Sequence, residues 1–252
     1  MKKALLLIDR GSREEDVKDE LHAICSLAKE RGSYYFSNYA FLEVTPPYIE
    51  EGINSCIKQG AEFVTIMPYF LYPGMKLKVA VKQSEEIASK LGLNYAITEC
   101  LNYHTTFVDV VKDRISEVKK KERIDLPDKE CDILLIGHGS SDRDARDAFV
   151  YIADSIKHNY RNVGFCFLEL DKPDITDGIK QAIANKPKAL ILMPYFLHRG
   201  AHIKRDVKEE VDKALKNSNS SKVYMARHLG VDDKIVDVVL ERAREVERKF
   251  GV

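Results

Sequence analysis

The chain repeats itself, and this constrains its fold more than any other feature. "LLLIDRGSR" (Leu5–Arg13) matches "LLIGHGSS" (Leu134–Ser141), and "FLEVTPPYIEEGI" (Phe41–Ile53) matches "FLELDKPDITDGI" (Phe167–Ile179). A Met-Pro-Tyr-Phe-Leu block starts at Met67 and again at Met193, and "FVDVV" (Phe107–Val111) pairs with "IVDVV" (Ile235–Val239). Four blocks in the same order at nearly constant spacing mark an internal duplication. The architecture must therefore be one that half of 252 residues can complete. Each half is long enough to bury about two-thirds of its unfolded surface. The expected lobes are 1–120 and 131–252, joined by a linker at 121–130 inside the charged, proline-containing "KKKERIDLPDKE" (Lys119–Glu130).

Short apolar runs alternate with amphipathic stretches in each half. The second half reads as strands Asp132–Gly137, Val163–Glu169, Lys188–Met193 and Lys222–Ala226. Helices Ser141–Asn159, Pro173–Asn185, Gly200–Asn217 and Asp232–Phe250 follow them in turn. Apolar strands this short, joined by helices, predict a parallel sheet covered on both faces. The fold class is α/β, with two flavodoxin-like lobes. In such sheets ligands bind beyond the carboxyl ends of the strands, and the lobes are expected to present these edges to a shared cleft.

Bulk properties exclude several classes. The formal net charge is +0, with no global attraction to nucleic acid or anionic membrane. Cys25, Cys56, Cys100, Cys131 and Cys166 are scattered, odd in number and without a CxxC pair, which argues against a disulfide framework or a zinc ribbon. The apolar run at the N-terminus, Ala4–Ile8, is too short for a signal peptide and reads as a strand. No segment is long enough to span a bilayer, and the expected location is the cytoplasm. Neither a P-loop nor a Gly-x-Gly-x-x-Gly fingerprint follows any strand, so no nucleotide is expected.

The chemistry gathers at the strand ends of the second half, where His138 follows the first strand, Glu169 the second, and His198 and His202 the third. Two imidazoles and a carboxylate form a borderline-to-hard donor set suited to divalent Fe, Co, Ni or Zn. Gly200 permits a tight turn that puts His202 in the first turn of a helix, whose positive end favours the neutral, ligating imidazole. In the first half Arg10 stands for His138 and Lys76 for His202, while Glu43 matches Glu169. Guanidinium and ammonium offer no lone pair to a metal. The first copy is expected to hold anions instead, with Arg10, Lys76 and Lys78, aided by Arg199, Lys204 and Arg205, facing a carboxylate-bearing ligand across the cleft.

"LLIGHGS" (Leu134–Ser140), "FLEL" (Phe167–Leu170) and "MPYFLHRGAHIKRDV" (Met193–Val207) resemble the motifs of the class II tetrapyrrole chelatases, in particular the sirohydrochlorin cobalto- and ferrochelatases (the CbiX/SirB group). The resemblance covers essentially the whole chain. It implies a two-lobed lyase that inserts a divalent metal substrate into sirohydrochlorin or a related tetrapyrrole without ATP, for cobalamin or siroheme biosynthesis. Co²⁺ is expected first, then Fe²⁺, with Ni²⁺ also accepted. It assigns His138, His202 and Glu169 as catalytic and metal-binding residues. Arg10, Lys76, Glu43, Ser140, His198, Arg199 and Arg205 are the expected substrate-binding set. Many two-lobed sirohydrochlorin chelatases carry the histidines in the N-terminal half; here they are C-terminal, as in the CbiK-type and protoporphyrin branches. The expected partner is the tetrapyrrole alone, bound by a monomer with pseudo-twofold lobes. The alternative is a carrier of the same fold that binds tetrapyrrole or metal without turnover.

Plainer roles stand beside these. Ser12 and Ser140 read as helix N-caps rather than nucleophiles, and Glu169 also as a cap of the Pro173 helix or a partner of Lys204. His198 reads as a support for a metal ligand or as a loop residue, and Arg10 as an ion-pair partner of Glu43. His22, His104, His158 and His228 are expected to take no part in chemistry.

Overall fold

Both halves build a four-stranded parallel sheet, seen in a computed structural model that describes residues 1–216 and 222–252. The first sheet takes β1 (Lys3–Asp9), β2 (Phe36–Phe41), β3 (Phe63–Pro68) and β4 (Tyr95–Ile97) in the order β2-β1-β3-β4. The second takes β5 (Asp132–Gly137), β6 (Asn162–Phe167), β7 (Leu190–Pro194) and β8 (Val223–Met225) in the order β6-β5-β7-β8. Helices α1 (Glu15–Gly32), α2 (Ile49–Lys58), α3 (Met75–Lys90) and α4 (Thr106–Lys121) follow the first four strands. Helices α5 (Arg143–Ile156), α6 (Ile175–Ala184), α7 (Lys208–Leu215) and α8 (Asp233–Phe250) follow the second four. This is the duplicated α/β architecture read from the repeats. Ala4 to Ile8 are all fully buried, an unbroken apolar strand that only a sheet covered on both faces requires.

Local chemistry moves several element bounds. The helix expected from Ser141 begins at Arg143, because Asp142 takes the N-cap and accepts from Asp144 N (3.0 Å); it ends at Ile156 rather than Asn159. The helix expected from Pro173 begins at Ile175 under an Asp174 cap (Asp177 N, 2.9 Å), so Glu169 does not cap it. The helix expected over Gly200–Asn217 divides into a π-helical turn, His202–Val207, and α7; its expected end at Asn217 lies outside the described residues.

The compact units differ from the halves 1–120 and 131–252 in one respect: they exchange their last helices. One unit comprises Met1–His104 with Val231–Val252, the other Thr105–Gly230. In the first unit α8 packs on β3, β4 and α1. Its Glu247, 3% exposed, accepts from Lys3 Nζ (2.6 Å), Tyr34 OH (2.6 Å) and Thr65 Oγ1 (2.7 Å). Burial, and after it this bond to Glu247, pushes the Tyr34 phenol upward. In the second unit α4 packs on β7 and α5. Its buried Arg114 donates from Nε to the carbonyls of Leu229 (2.9 Å) and His228 (3.2 Å), and from Nη1 to Glu117 (3.0 Å). Each helix thus carries one buried charge whose partners lie in its own unit, since a buried charge is tolerated only when paired. The linker 121–130 ends in a short 3₁₀ turn, Asp128–Glu130, tied to the second unit through Lys119–Asp128 and Lys188–Glu130.

All five cysteines are buried and unpaired. Among the described residues no helix is long and apolar enough to cross a membrane.

Candidate metal centre

The second unit brings His138 and Glu169 together through backbone pairing that outruns its strands. Gly137 lies opposite Phe167 in the β5–β6 register. The ladder continues through Leu168 N to Gly137 O (2.9 Å) and Glu169 N to His138 O (3.0 Å). Gly139 makes the close approach possible: at φ +89° its absent Cβ would lie 1.8 Å from the Glu169 carbonyl oxygen. His138 Nδ1 lies 3.1 Å from Gly139 O, and its Nε2 comes within ion-pair distance of Glu169 Oε1, at 3.1 Å. Behind this loop Arg146 Nη1 bonds Asp171 Oδ1 (2.6 Å) while its guanidinium lies over the Phe167 ring.

His202 arrives from the third strand, at the start of the π-turn. Its Nδ1 lies 2.8 Å from Asp206 Oδ2, four residues on. A carboxylate on Nδ1 selects the Nδ1–H tautomer and leaves Nε2 as the donor atom. The His138 and His202 rings meet edge to face, centroids 4.8 Å apart. The π-turn accounts for this placement. In α3 the buried positions are Ala80, Ser84 and Ala88; in the second unit they are Val207, Val211 and Ala214. The match of Lys76 with His202 aligns Ala80 with Asp206, yet Val207, one residue later, is the buried one. The wider turn moves burial from the Asp206 position to Val207 and leaves Asp206 exposed beside His202. Among the described residues no three His, Cys, Asp or Glu side chains are arranged to hold a metal ion as they stand; Glu169 is engaged with His138 and Asp206 with His202.

The first unit builds the same frame around different chemistry. Glu43 N donates to Arg10 O (3.0 Å), and Gly11 at φ +109° abuts the Glu43 carbonyl as Gly139 does Glu169. Where the second unit has imidazoles, Lys76 Nζ and Arg10 Nε close on the two oxygens of Glu43, at 2.6 Å and 3.1 Å. Lys76, and after it Arg10, hold the Glu43 carboxyl below its usual range. The ion-pair reading of Arg10 is therefore present in the structure, and two cations on one carboxylate leave a net positive charge.

The remaining expected residues have these surroundings. Ser140 Oγ accepts from Asp142 N (3.0 Å), as Ser12 Oγ does from Glu14 N (3.1 Å); both serines brace the loop one turn before the helix, and the caps themselves are Asp142 and Glu14. His198 is half-buried, and Arg199 and Arg205 are exposed. Arg199, with Ile203 and Val207 of the π-turn, lines a cavity of about 680 Å³. His104 lies 3.3 Å from Glu241 in the first unit. Sequence reasoning missed Asp206, Arg146 and Asp171. The His-x-x-x-Asp spacing was a usable sign for the first; the other two are 25 residues apart and carried none.

Compared with known proteins, the sequence matches a family model described as CbiX twice, over residues 4–118 and 132–246. The chain belongs to the CbiX family. A sirohydrochlorin ferrochelatase of Priestia megaterium is 27% identical, with 98% of this chain and 92% of that protein aligned. A sirohydrochlorin cobaltochelatase of the same organism is 25% identical over 96% of this chain and 79% of its own length. A structure of SirB from Bacillus subtilis with Fe³⁺ superposes with a TM-score of 0.80 at 25% identity, covering 97% of this chain and 95% of that one. The two CbiX matches coincide with the sequence repeats, whereas the compact units exchange their final helices.

Proposed function

We propose that this CbiX-family chain is a sirohydrochlorin chelatase, inserting Co²⁺ or Fe²⁺ into the macrocycle without a nucleotide, as a cytoplasmic monomer. What supports this reading is the approach of His138 to Glu169 on one side and to His202 on the other, in a chain whose full-length relatives are sirohydrochlorin cobalto- and ferrochelatases. Buried, unpaired cysteines fit a reducing compartment.

Insertion exchanges one divalent ion for two pyrrole protons. His202 Nε2, oriented from behind by Asp206, receives the metal substrate together with His138 once the Glu169 side chain, half exposed, turns off the His138 ring. As the metal passes from His138 to the macrocycle, the freed His138 Nε2 and the Glu169 carboxylate each accept one of the two pyrrole protons. Arg10 and Lys76, with their surplus positive charge over Glu43, and Arg199 and Arg205 attract the carboxylates of the tetrapyrrole. Ser140 and His198 complete the lining.

The test mixes protein, sirohydrochlorin and Co²⁺, Fe²⁺ or Ni²⁺ and follows the absorbance change. Many turnovers per chain are expected from the wild type. His202→Ala should lose at least about a hundredfold in rate and keep its thermal midpoint, because the side chain is 41% exposed. A stoichiometric spectral change without turnover would make the chain a carrier, and near-normal rates from the variant would refute the assignment of His202.

A further inference from the structure

Directly after Glu169 the chain makes a turn that L-residues avoid. Asp171 N donates to Glu169 O (2.8 Å) around Leu170, whose φ is +62°. This is a γ-turn of the positive-φ kind, the rarer and more strained of the two forms. The first unit repeats it: Thr45 N donates to Glu43 O (3.0 Å) around Val44 at φ +78°, where a β-branched residue is a genuine outlier. Glycine or asparagine would form either turn with less strain. Both copies instead carry a branched apolar side chain, and neither side chain is used in a core: Leu170 is 67% and Val44 44% exposed. Burial within the chain therefore does not offset the strain. Nor is the turn loose. Gly139 packs against the Glu169 carbonyl, and Asp171 Oδ1 is fixed by Arg146 Nη1 (2.6 Å) and Lys172 N (2.7 Å). The Leu170 side chain is thus presented to solvent from a rigid frame, one residue from the site carboxylate.

We infer that Leu170 is a substrate-contact residue, packing on the carbon plane of the tetrapyrrole beside the metal centre. The inference rests on the chelatase reading above. A flat macrocycle with carboxylates on its rim offers charge at the edge and apolar carbon on its faces; the cationic side chains suit the edge, and an exposed isobutyl group next to Glu169 suits a face.

Leu170→Asn and Leu170→Gly keep a residue tolerant of positive φ and remove the apolar contact, while Leu170→Met retains an apolar side chain. Three quantities are read on the full chain: the Kd for metal-free sirohydrochlorin by fluorescence titration, the Kd for Co²⁺ alone, and the thermal midpoint. The Asn and Gly variants should bind sirohydrochlorin about tenfold more weakly, as for loss of one apolar side chain from a contact. Their Co²⁺ affinity should be unchanged and their midpoint no lower, and the Met variant should bind sirohydrochlorin as the wild type does. Wild-type sirohydrochlorin affinity in the Asn and Gly variants would overturn the inference. A parallel loss of Co²⁺ affinity would also overturn it, by making Leu170 a support for Glu169. If the wild type binds sirohydrochlorin but never metallates it, the chelatase reading fails while the contact is still judged by these variants.

Discussion

The imidazole of His202 stands at 87° to that of His138, ring centroids 4.8 Å apart, with its Nδ1 held 2.8 Å from Asp206 Oδ2. This relationship depends on a π-turn that the other copy of the fold lacks, since α3 runs as a regular helix from Met75 to Lys90.

Asp206 is expected to act as the residue that aims His202. Asp206→Ala should weaken Co²⁺ binding about 10- to 100-fold, the usual effect of removing a carboxylate behind a ligating histidine. Its midpoint should stay close to that of the wild type, because Asp206 is half exposed. Calorimetric titration with Co²⁺ checks both the loss and a partial recovery in Asp206→Asn, which retains an acceptor oxygen. Unchanged affinity in the alanine variant would leave His202 oriented by packing alone.

The twin site offers a converse experiment. The double substitution Arg10→His with Lys76→His restores two imidazoles beside Glu43 on a frame whose glycine, Gly11, already matches Gly139. Two Co²⁺ per chain are expected where the parent binds one. The new site should be the weaker by about 10- to 100-fold, because Ala80 stands four residues after Lys76 where Asp206 follows His202. Metal stoichiometry by titration decides it; one ion per chain would show that the frame alone is insufficient.

Glu43 gives a pH signature. Lys76, then Arg10, lower its folded-state pKa. Its stabilising contribution is therefore complete above the ordinary glutamate value of about 4.3 and is lost as pH falls through the lower folded value. Glu43→Gln should be less stable than the wild type in urea at pH 7, and the gap should close as the pH is lowered from about 5 to about 3. A gap independent of pH would mean that the side chain contributes by shape, not charge.

Glu247 tests the exchanged helix. Glu247→Ala strips the acceptor from Tyr34 and Thr65 and the counter-charge from Lys3, all in the first unit. Leaving buried polar groups unpaired should cost about 2–4 kcal/mol in urea unfolding. The Co²⁺ affinity of the folded protein should not change. A loss below about 0.5 kcal/mol would show that α8 is held by its apolar face only.

The parts of this fold legible in the sequence are those the duplication states twice. Strand strings such as Leu5–Ile8 and Leu134–Ile136 recur with their loops, and histidines at strand ends stand out because their twins are Arg10 and Lys76. The helix exchange was not legible. α4 buries Phe107, Val108, Val110 and Val111 where α8 buries Ile235, Val236, Val238 and Val239, so the apolar pattern does not say which sheet each helix covers. Among the fully buried charges, Arg114 and Glu247 distinguish the two helices through partners far away in sequence. The π-turn was equally hidden, since "HIKRDV" aligns with "KLKVAV" without a gap and no insertion marks the change of helical pitch.

The exchange also sets an order of events that the linear chain does not suggest. Translation produces the first sheet before the second, yet that sheet receives its outermost cover only when Asp233–Phe250 have emerged. Residues 105–230 are contiguous and complete a hydrophobic core of their own earlier. Because domains mature as units on the ribosome, the unit of residues 105–230 is expected to complete before the unit that needs α8.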